Sequence, residues 1–246
     1  MAAVGFSPDG TRVAVVSSDG YVQSWNRLTG ESTGPPFQGI SGGSGEVAAV
    51  AFSPDRRLLA IVGSDRWVRL WYTFTGKTTG RSFQVPSSFG RGVVAMGFSL
   101  ADDLAVAGAD GTVQVWNPLT GQPVGVPIPA DTGPGGGVHG VAFSPSGGLL
   151  ATADADGTVR LWNPLSGQPV GVPIPADTGH RGGVLGVAFS PSGGLLASAD
   201  SDGTVQLWHV SLFAHPYTTL CAADGPPTRR DWSRYAHGEP EPRICA

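Results

Sequence analysis

An all-β protein made of five copies of one four-stranded antiparallel unit is predicted by three features of this 246-residue chain. Tryptophan recurs at Trp25, Trp71, Trp116, Trp162 and Trp208, in steps of 45 or 46 residues. Phenylalanine keeps the same beat at Phe6, Phe52, Phe98, Phe143 and Phe189, and an aspartate stands six residues before each tryptophan, at Asp19, Asp65, Asp110, Asp156 and Asp202. Between these marks the apolar residues alternate or run continuously, without helical spacing. A fixed period of this length, with turn signals between short strands, is the pattern of a β-propeller blade.

The fourth copy shows each element in order. Residues 138–145, VHGVAFSP, form an apolar strand that ends at the turn Ser146-Gly147-Gly148. Residues 149–157, LLATADADG, lead through a hairpin into TVRLWN, and after Pro164-Leu165-Ser166-Gly167 comes a fourth segment, QPVGVPIP. In that segment Pro169, Pro173 and Pro175 share one parity, as do Pro123, Pro127 and Pro129 one copy earlier. Prolines of one parity remove donors from one side of a strand only, which suits an outer edge. The blades are expected at about 1–40, 41–86, 87–132, 133–178 and 179–210, with a tail at 211–246.

Composition narrows the functional classes. Apolar residues make up 40% of the chain and charged ones 14%, and the 38 glycines and 21 prolines are spaced in step with the apolar runs, as many tight turns require. A net charge of −4 without a basic stretch argues against nucleic acid as a partner. The first residues, MAAVGFSPDG, do not read as a secretion signal, and no window reaches the ~18 apolar residues of a membrane span. The expected address is the cytoplasm, with no membrane partner. Cys221 and Cys245, the only cysteines, do not make a disulfide-rich scaffold.

The run from FSPDG or FSPSG to DGTVRLW resembles the WD-repeat (WD-40) family over about residues 2–210. The linkers at 117–133 and 163–179 differ at one position, as after a recent duplication. The resemblance implies a propeller that binds proteins or peptides, performs no chemistry and needs no cofactor. It also implies a polar network in which the recurring aspartate accepts hydrogen bonds from a histidine before the first strand, a hydroxyl in the second and the tryptophan of the third. The fifth copy has the full set in His180, Ser198, Asp202 and Trp208. The fourth has Thr152, Asp156 and Trp162, with Pro134 in the stretch where the histidine would stand. The earlier copies lack the histidine, so their networks are expected to be looser or completed by water.

Two sharper readings of Asp154-Ala155-Asp156-Gly157 compete with a turn. A calcium loop needs more converging oxygens than Asp154 and Asp156 provide, and the third copy keeps only Asp110. A hydrolase built on His180, Ser198 and Asp202 lacks a Gly-x-Ser-x-Gly elbow around Ser198. Asp-Gly between alternating apolar runs is instead a hairpin signal, for a turn whose two central residues both favour positive φ. No catalytic residue and no metal site is expected.

By the same resemblance, partners are gripped by residues near the start of each blade's first strand, on the narrow face: Ala2, Ala48, Val94, His139 and Leu185. This ring is small and apolar, without the clustered arginine of phosphopeptide readers. Trp67, which replaces the threonine of Asp-Gly-Thr in the second copy, is either packed between blades or exposed as an anchor. A sugar- or small-molecule-binding propeller, or a propeller-fold hydrolase with two facing carboxylates, is the alternative class.

The period breaks after Val210. Thr228 with Asp231 three residues on reads as a helix start, with Trp232 and Tyr235 on one face. The span from Cys221 to Cys245 is similar to the C-terminal cap of actinobacterial WD-repeat proteins, which often follow signalling ATPase or kinase domains. No motif of either domain stands in this chain. Cys221 and Cys245 are expected close together, able to form a disulfide. The fifth blade runs out of pattern before a fourth strand, so an open edge is expected. It would be covered by Tyr217–Cys221, by another copy, or by blades of a longer protein, and self-association through that edge is anticipated.

Overall fold

The computed structural model describes residues 3–7, 10–17, 20–40, 47–55, 57–73, 75–86, 89, 92–131, 136–176 and 183–214. Blade one comprises β1 (Ala3–Phe6), β2 (Arg12–Val16), β3 (Tyr21–Asn26) and β4 (Phe37–Gln38). Blade two follows with β5 (Val47–Phe52), β6 (Leu58–Gly63), β7 (Trp67–Tyr72) and β8 (Thr78–Gln84). Blade three holds β9 (Val93–Phe98), β10 (Leu104–Gly108), β11 (Thr112–Asn117) and β12 (Gln122–Pro129). Blade four has β13 (Val138–Phe143), β14 (Leu150–Asp154), β15 (Thr158–Trp162) and β16 (Ile174–Pro175). Blade five has β17 (Val184–Phe189), β18 (Leu195–Asp200) and β19 (Val205–His209), and the chain then turns into α1 (Val210–Ala214), the one α-helix among the described residues.

Every sheet is antiparallel and ordered as in sequence, so the fold is an all-β propeller of five blades. The proline-bearing segments lie at the edge of their sheets, as their parity predicts. Four sheets have four strands. The fifth has three among the described residues, leaving β19 at its edge. The segments Tyr217–Cys221 and 228–235, and the pair Cys221 and Cys245, lie outside the described residues.

The core sits between blades. β1, β5, β9, β13 and β17 pack side by side in that order. Each junction sets small and branched residues of one blade against the phenylalanine and tryptophan face of the next. Val68 and Leu70 of blade two, both fully buried, share a cluster with Met96, Leu104 and Trp116 of blade three. Val159 and Leu161 of blade four do the same with Leu196 of blade five, with Phe189 against them.

The turns at the opposite ends of the strands are also written into the repeat. After each described tryptophan-asparagine pair, the Asn side chain accepts from the backbone N–H two and three residues on. Asn117 Oδ1 takes Leu119 and Thr120 at 3.0 Å each, and Asn163 Oδ1 takes Leu165 and Ser166 at 3.0 Å each. Such an Asx turn is local chemistry, independent of the partner blade. The serine after each phenylalanine has a matching role: Ser144 Oγ accepts from Leu149 N–H and Ser190 Oγ from Leu195 N–H, closing the hairpin between first and second strands.

Candidate functional site

The recurring aspartate caps its own turn. Asp110 Oδ1 accepts from the Thr112 N–H at 3.1 Å and from its hydroxyl at 2.6 Å. Asp156 does so with Thr158 at 2.9 and 2.7 Å, and Asp202 with Thr204 at 2.8 and 2.7 Å. Glycine alone carries the left-handed residue of these turns, with φ of 82° at Gly111, 86° at Gly157 and 87° at Gly203. The expectation of positive φ at both central positions is therefore corrected. The loop is closed by the Gly157 N–H donating to the Asp154 carbonyl, and one αL residue suffices in such a longer hairpin loop. Blade two has Arg66 in that position, at φ 63°.

The tryptophans bond elsewhere than to these aspartates. Trp162 Nε1 donates to Thr152 Oγ1 at 3.1 Å, and Trp208 Nε1 to Ser198 Oγ at 3.0 Å. Indole and hydroxyl face each other across paired strands, whereas Asp156 and Asp202 sit beyond the strand ends with their acceptors taken by the turn. The indole is thus passed to the hydroxyl and not to the carboxylate. His180 lies outside the described residues. In blades two and three Ile61 and Val106 stand where the hydroxyl would be, and Trp71 Nε1 and Trp116 Nε1 are buried without a partner. There the ring is held by an aromatic neighbour from the preceding blade, Phe37 at 4.9 Å from Trp71 and Phe83 at 5.0 Å from Trp116.

A second aspartate, unremarked by the periodicity, is the more deeply placed one. Asp154, at the end of β14, is fully buried, and Asp200, at the end of β18, is 4% exposed. Arg160 forks across Asp154 and Asp156. Burial pushes the Asp154 carboxyl up to about 7, against the downward pull of the Arg160 guanidinium. Asp156 is pushed up by burial too, but its bonds to Thr158 and Arg160 outweigh this and hold it below the usual carboxylate range. Asp200 takes Gln206 Nε2 at 3.2 Å and Thr204 Oγ1 at 3.3 Å instead of a cation. The signal in the sequence was the second acid, two residues before the first, present in these two copies alone.

The proposed gripping residues share a feature of register. In β5, Val47 pairs with Gly63 and Ala49 with Val62, so Ala48 is an extra, unpaired residue. The same bulge isolates Val94 in β9, His139 in β13 and Leu185 in β17. All four lie at the end of the propeller that carries the aspartate turns. Leu185 is 54% and Val94 37% exposed, His139 is exposed and Ala48 half-buried. His139 Nδ1 is 3.0 Å from the Val184 carbonyl, to which it can donate, tying blade four to blade five. Trp67 is 38% exposed and lies on β7, two strands outward from the bulge of its blade, so the structure does not bring it into this ring. Ala2 lies outside the described residues.

Among the described residues no group of three or more His, Cys, Asp or Glu side chains is placed to hold a metal ion. A cleft of about 240 Å³ between blades three and four, at the end opposite the bulges, is lined by Ser99, Asp103, Val115, Phe143, Asn163 and Leu165. Asp103 is its one carboxylate.

A five-bladed propeller of strands with this beat of Phe, Asp-Gly and Trp defines a class of repeat protein. The model of the WD domain, G-beta repeat, matches residues 2–26, 34–72, 82–117, 125–163 and 171–209. The chain belongs to the WD40 repeat family. A search of the curated proteins gave no match. Among the described residues no helix is long and apolar enough to cross a membrane.

Proposed function

We propose that the chain is a non-catalytic scaffold that binds a protein or peptide partner on the face carrying the bulges, within a cytoplasmic regulatory assembly of the bacterial kind its tail resembles. The observation that carries this reading is the shared bulge at Ala48, Val94, His139 and Leu185. A bulge re-aims one side chain out of the pleat, and four at equivalent positions present four side chains on one end of the fold. Around them stand the aspartate turns. Asp65 and Asp156 are paired with Arg69 and Arg160, while Asp202 is exposed and bonded only within its turn. An apolar peptide segment flanked by lysine or arginine fits this surface better than an anionic one.

The alternative, a ligand-binding or hydrolytic propeller, would draw on the cleft between blades three and four. At about 240 Å³ it falls below the ~300–1,000 Å³ of ordinary ligand pockets, and it offers one carboxylate where two-carboxylate glycoside hydrolysis needs a pair. Binding to an array of random peptides separates the readings. The wild type should retain basic-apolar peptides, and the double variant His139→Glu, Leu185→Glu should lose at least tenfold in affinity with unchanged circular dichroism. Undiminished binding by the double variant would place the site elsewhere.

A further inference from the structure

The two ends of the repeat expose faces that every other blade buries. Val159 and Leu161 of blade four are 0% and 2% exposed beneath blade five, and Val113 and Val115 of blade three are 0% and 2% exposed beneath blade four. The equivalent residues of blade five, Val205 and Leu207, are each 69% exposed. At the other end Phe52 of blade two is 9% exposed against blade one, whereas its counterpart Phe6 is 60% exposed and the neighbouring Val4 50%. Neither face is covered by the other, because close packing of first strands runs from β1 to β17 and none comparable joins β17 to β1.

We propose that the face of blade five carrying Val205 and Leu207 docks on the face of blade one carrying Val4 and Phe6 of a second copy of this chain, head to tail. The chain itself contains the template for this contact. At three of its four internal junctions an apolar pair of the third strand, Val68/Leu70, Val113/Val115 or Val159/Leu161, shares a cluster with first-strand residues of the following blade, Met96/Phe98, Val141/Phe143 or Val187/Phe189, and at the first junction Val22 does so with Val50/Phe52. The two free faces repeat those residue types: blade five reads TVQLW where blade four reads TVRLW, and the single difference, Gln206, points its amide to Ala176 O and Asp200 and not to the free face. Uncovered apolar surface of this kind marks an interface. Because the two faces differ, the contact is heterologous, and each copy can supply one of each. This inference is independent of the peptide-binding reading.

Sedimentation velocity of the full chain over a hundredfold concentration range tests it. The wild type should pass from monomer to dimer or larger species as concentration rises. Phe6→Glu and Leu207→Glu should each sediment as monomers throughout, since each lacks one of the two faces. Their equimolar mixture should restore a species of twice the monomer mass and nothing larger, as the intact face of each variant meets the other's. If near-UV circular dichroism shows either variant unfolded, Val4→Lys and Val205→Lys replace the pair. A wild type that stays monomeric, a single variant that still dimerises, or a mixture that stays monomeric would each overturn the proposal.

Discussion

At the scale of residues, Asp154 is, among the described residues, a carboxylate whose burial ties the stability of the fold to pH. Removal from water opposes its charge more strongly than Arg160 supports it, so its folded pKa of about 7 lies above the 3.8 of an exposed aspartate. The native state therefore holds a proton that the unfolded chain has released between these values. The resulting stability is fully present below about pH 4 and is lost as pH rises through 7, on the order of 3–4 kcal/mol for a shift of this size. Urea unfolding at pH 4.5 and 7.5 should show the wild type losing stability over this interval. Asp154→Asn, neutral at both, should show most of that loss removed. Arg66 is a simpler case: a side chain held at φ 63° where the described Asp-Gly copies have glycine. Arg66→Gly should relieve the left-handed strain and gain about 1 kcal/mol, or roughly 2–4 °C in Tm. An unchanged or lower Tm would mean that Arg66 contributes something the turn geometry does not show.

The elements show two ways of securing one tryptophan. Blades four and five give the indole a hydroxyl, while blades two and three give it an aromatic ring from the blade before. Identical sequence can also take different forms. QPVGVPIP is one unbroken strand, β12, at 122–129, but at 168–175 it is reduced to a bridge at Pro169 and the two residues of β16. The difference lies in the neighbours. Gly125 faces the turn of blade four at Leu165, whereas Gly171 faces α1, with its missing Cβ position 1.6 Å from Phe213 O. Gly171→Ala should therefore expel α1, seen as faster hydrogen exchange over Val210–Ala214 and loss of the Phe213–Trp208 contact. Gly147→Ala is the control, since Gly147 has a similar φ of 73° and open space around it. If the two variants behaved alike, backbone strain alone would account for the effect and the close approach of α1 would not.

For the whole molecule, the repeat makes stability a matter of neighbours. Each inner blade is covered on both sides and each end blade on one, so the energetics should resemble those of a linear array. Native-state hydrogen exchange should find the slowest amides in β10 and β11 of blade three. Blades one and five should open at lower free energy, with β19 exchanging earliest among the third strands. Uniform protection across the blades would show a single cooperative unit in place of the array.

The sequence by itself determined the repeated antiparallel unit and its turns, because the period-2 alternation, the Asp-Gly and Ser-Gly-Gly turns and the proline parity are local chemistry. It did not determine the extent of each strand, since QPVGVPIP is a full strand at 122–129 and only the two residues of β16 at 174–175. Through the family resemblance it named Thr152 and Ser198 as donors to the recurring aspartate and expected His139, Leu185, Val94 and Ala48 together on the narrow face. It misassigned the indole's acceptor, since only the register across β18 and β19 decides that Trp208 reaches Ser198 and Asp202 does not reach Trp208. The bulges were hidden for the same reason: an unpaired residue is a mismatch between two strands and has no signature in either alone. Asp154 looked like part of the turn, and only the packing of blades removes it from water. The helix α1 and the exposed faces of blades one and five were likewise decided by tertiary structure. A side chain's burial depends on which surface comes to lie against it, and the periodic sequence writes the same residues for a face that is covered and a face that is not.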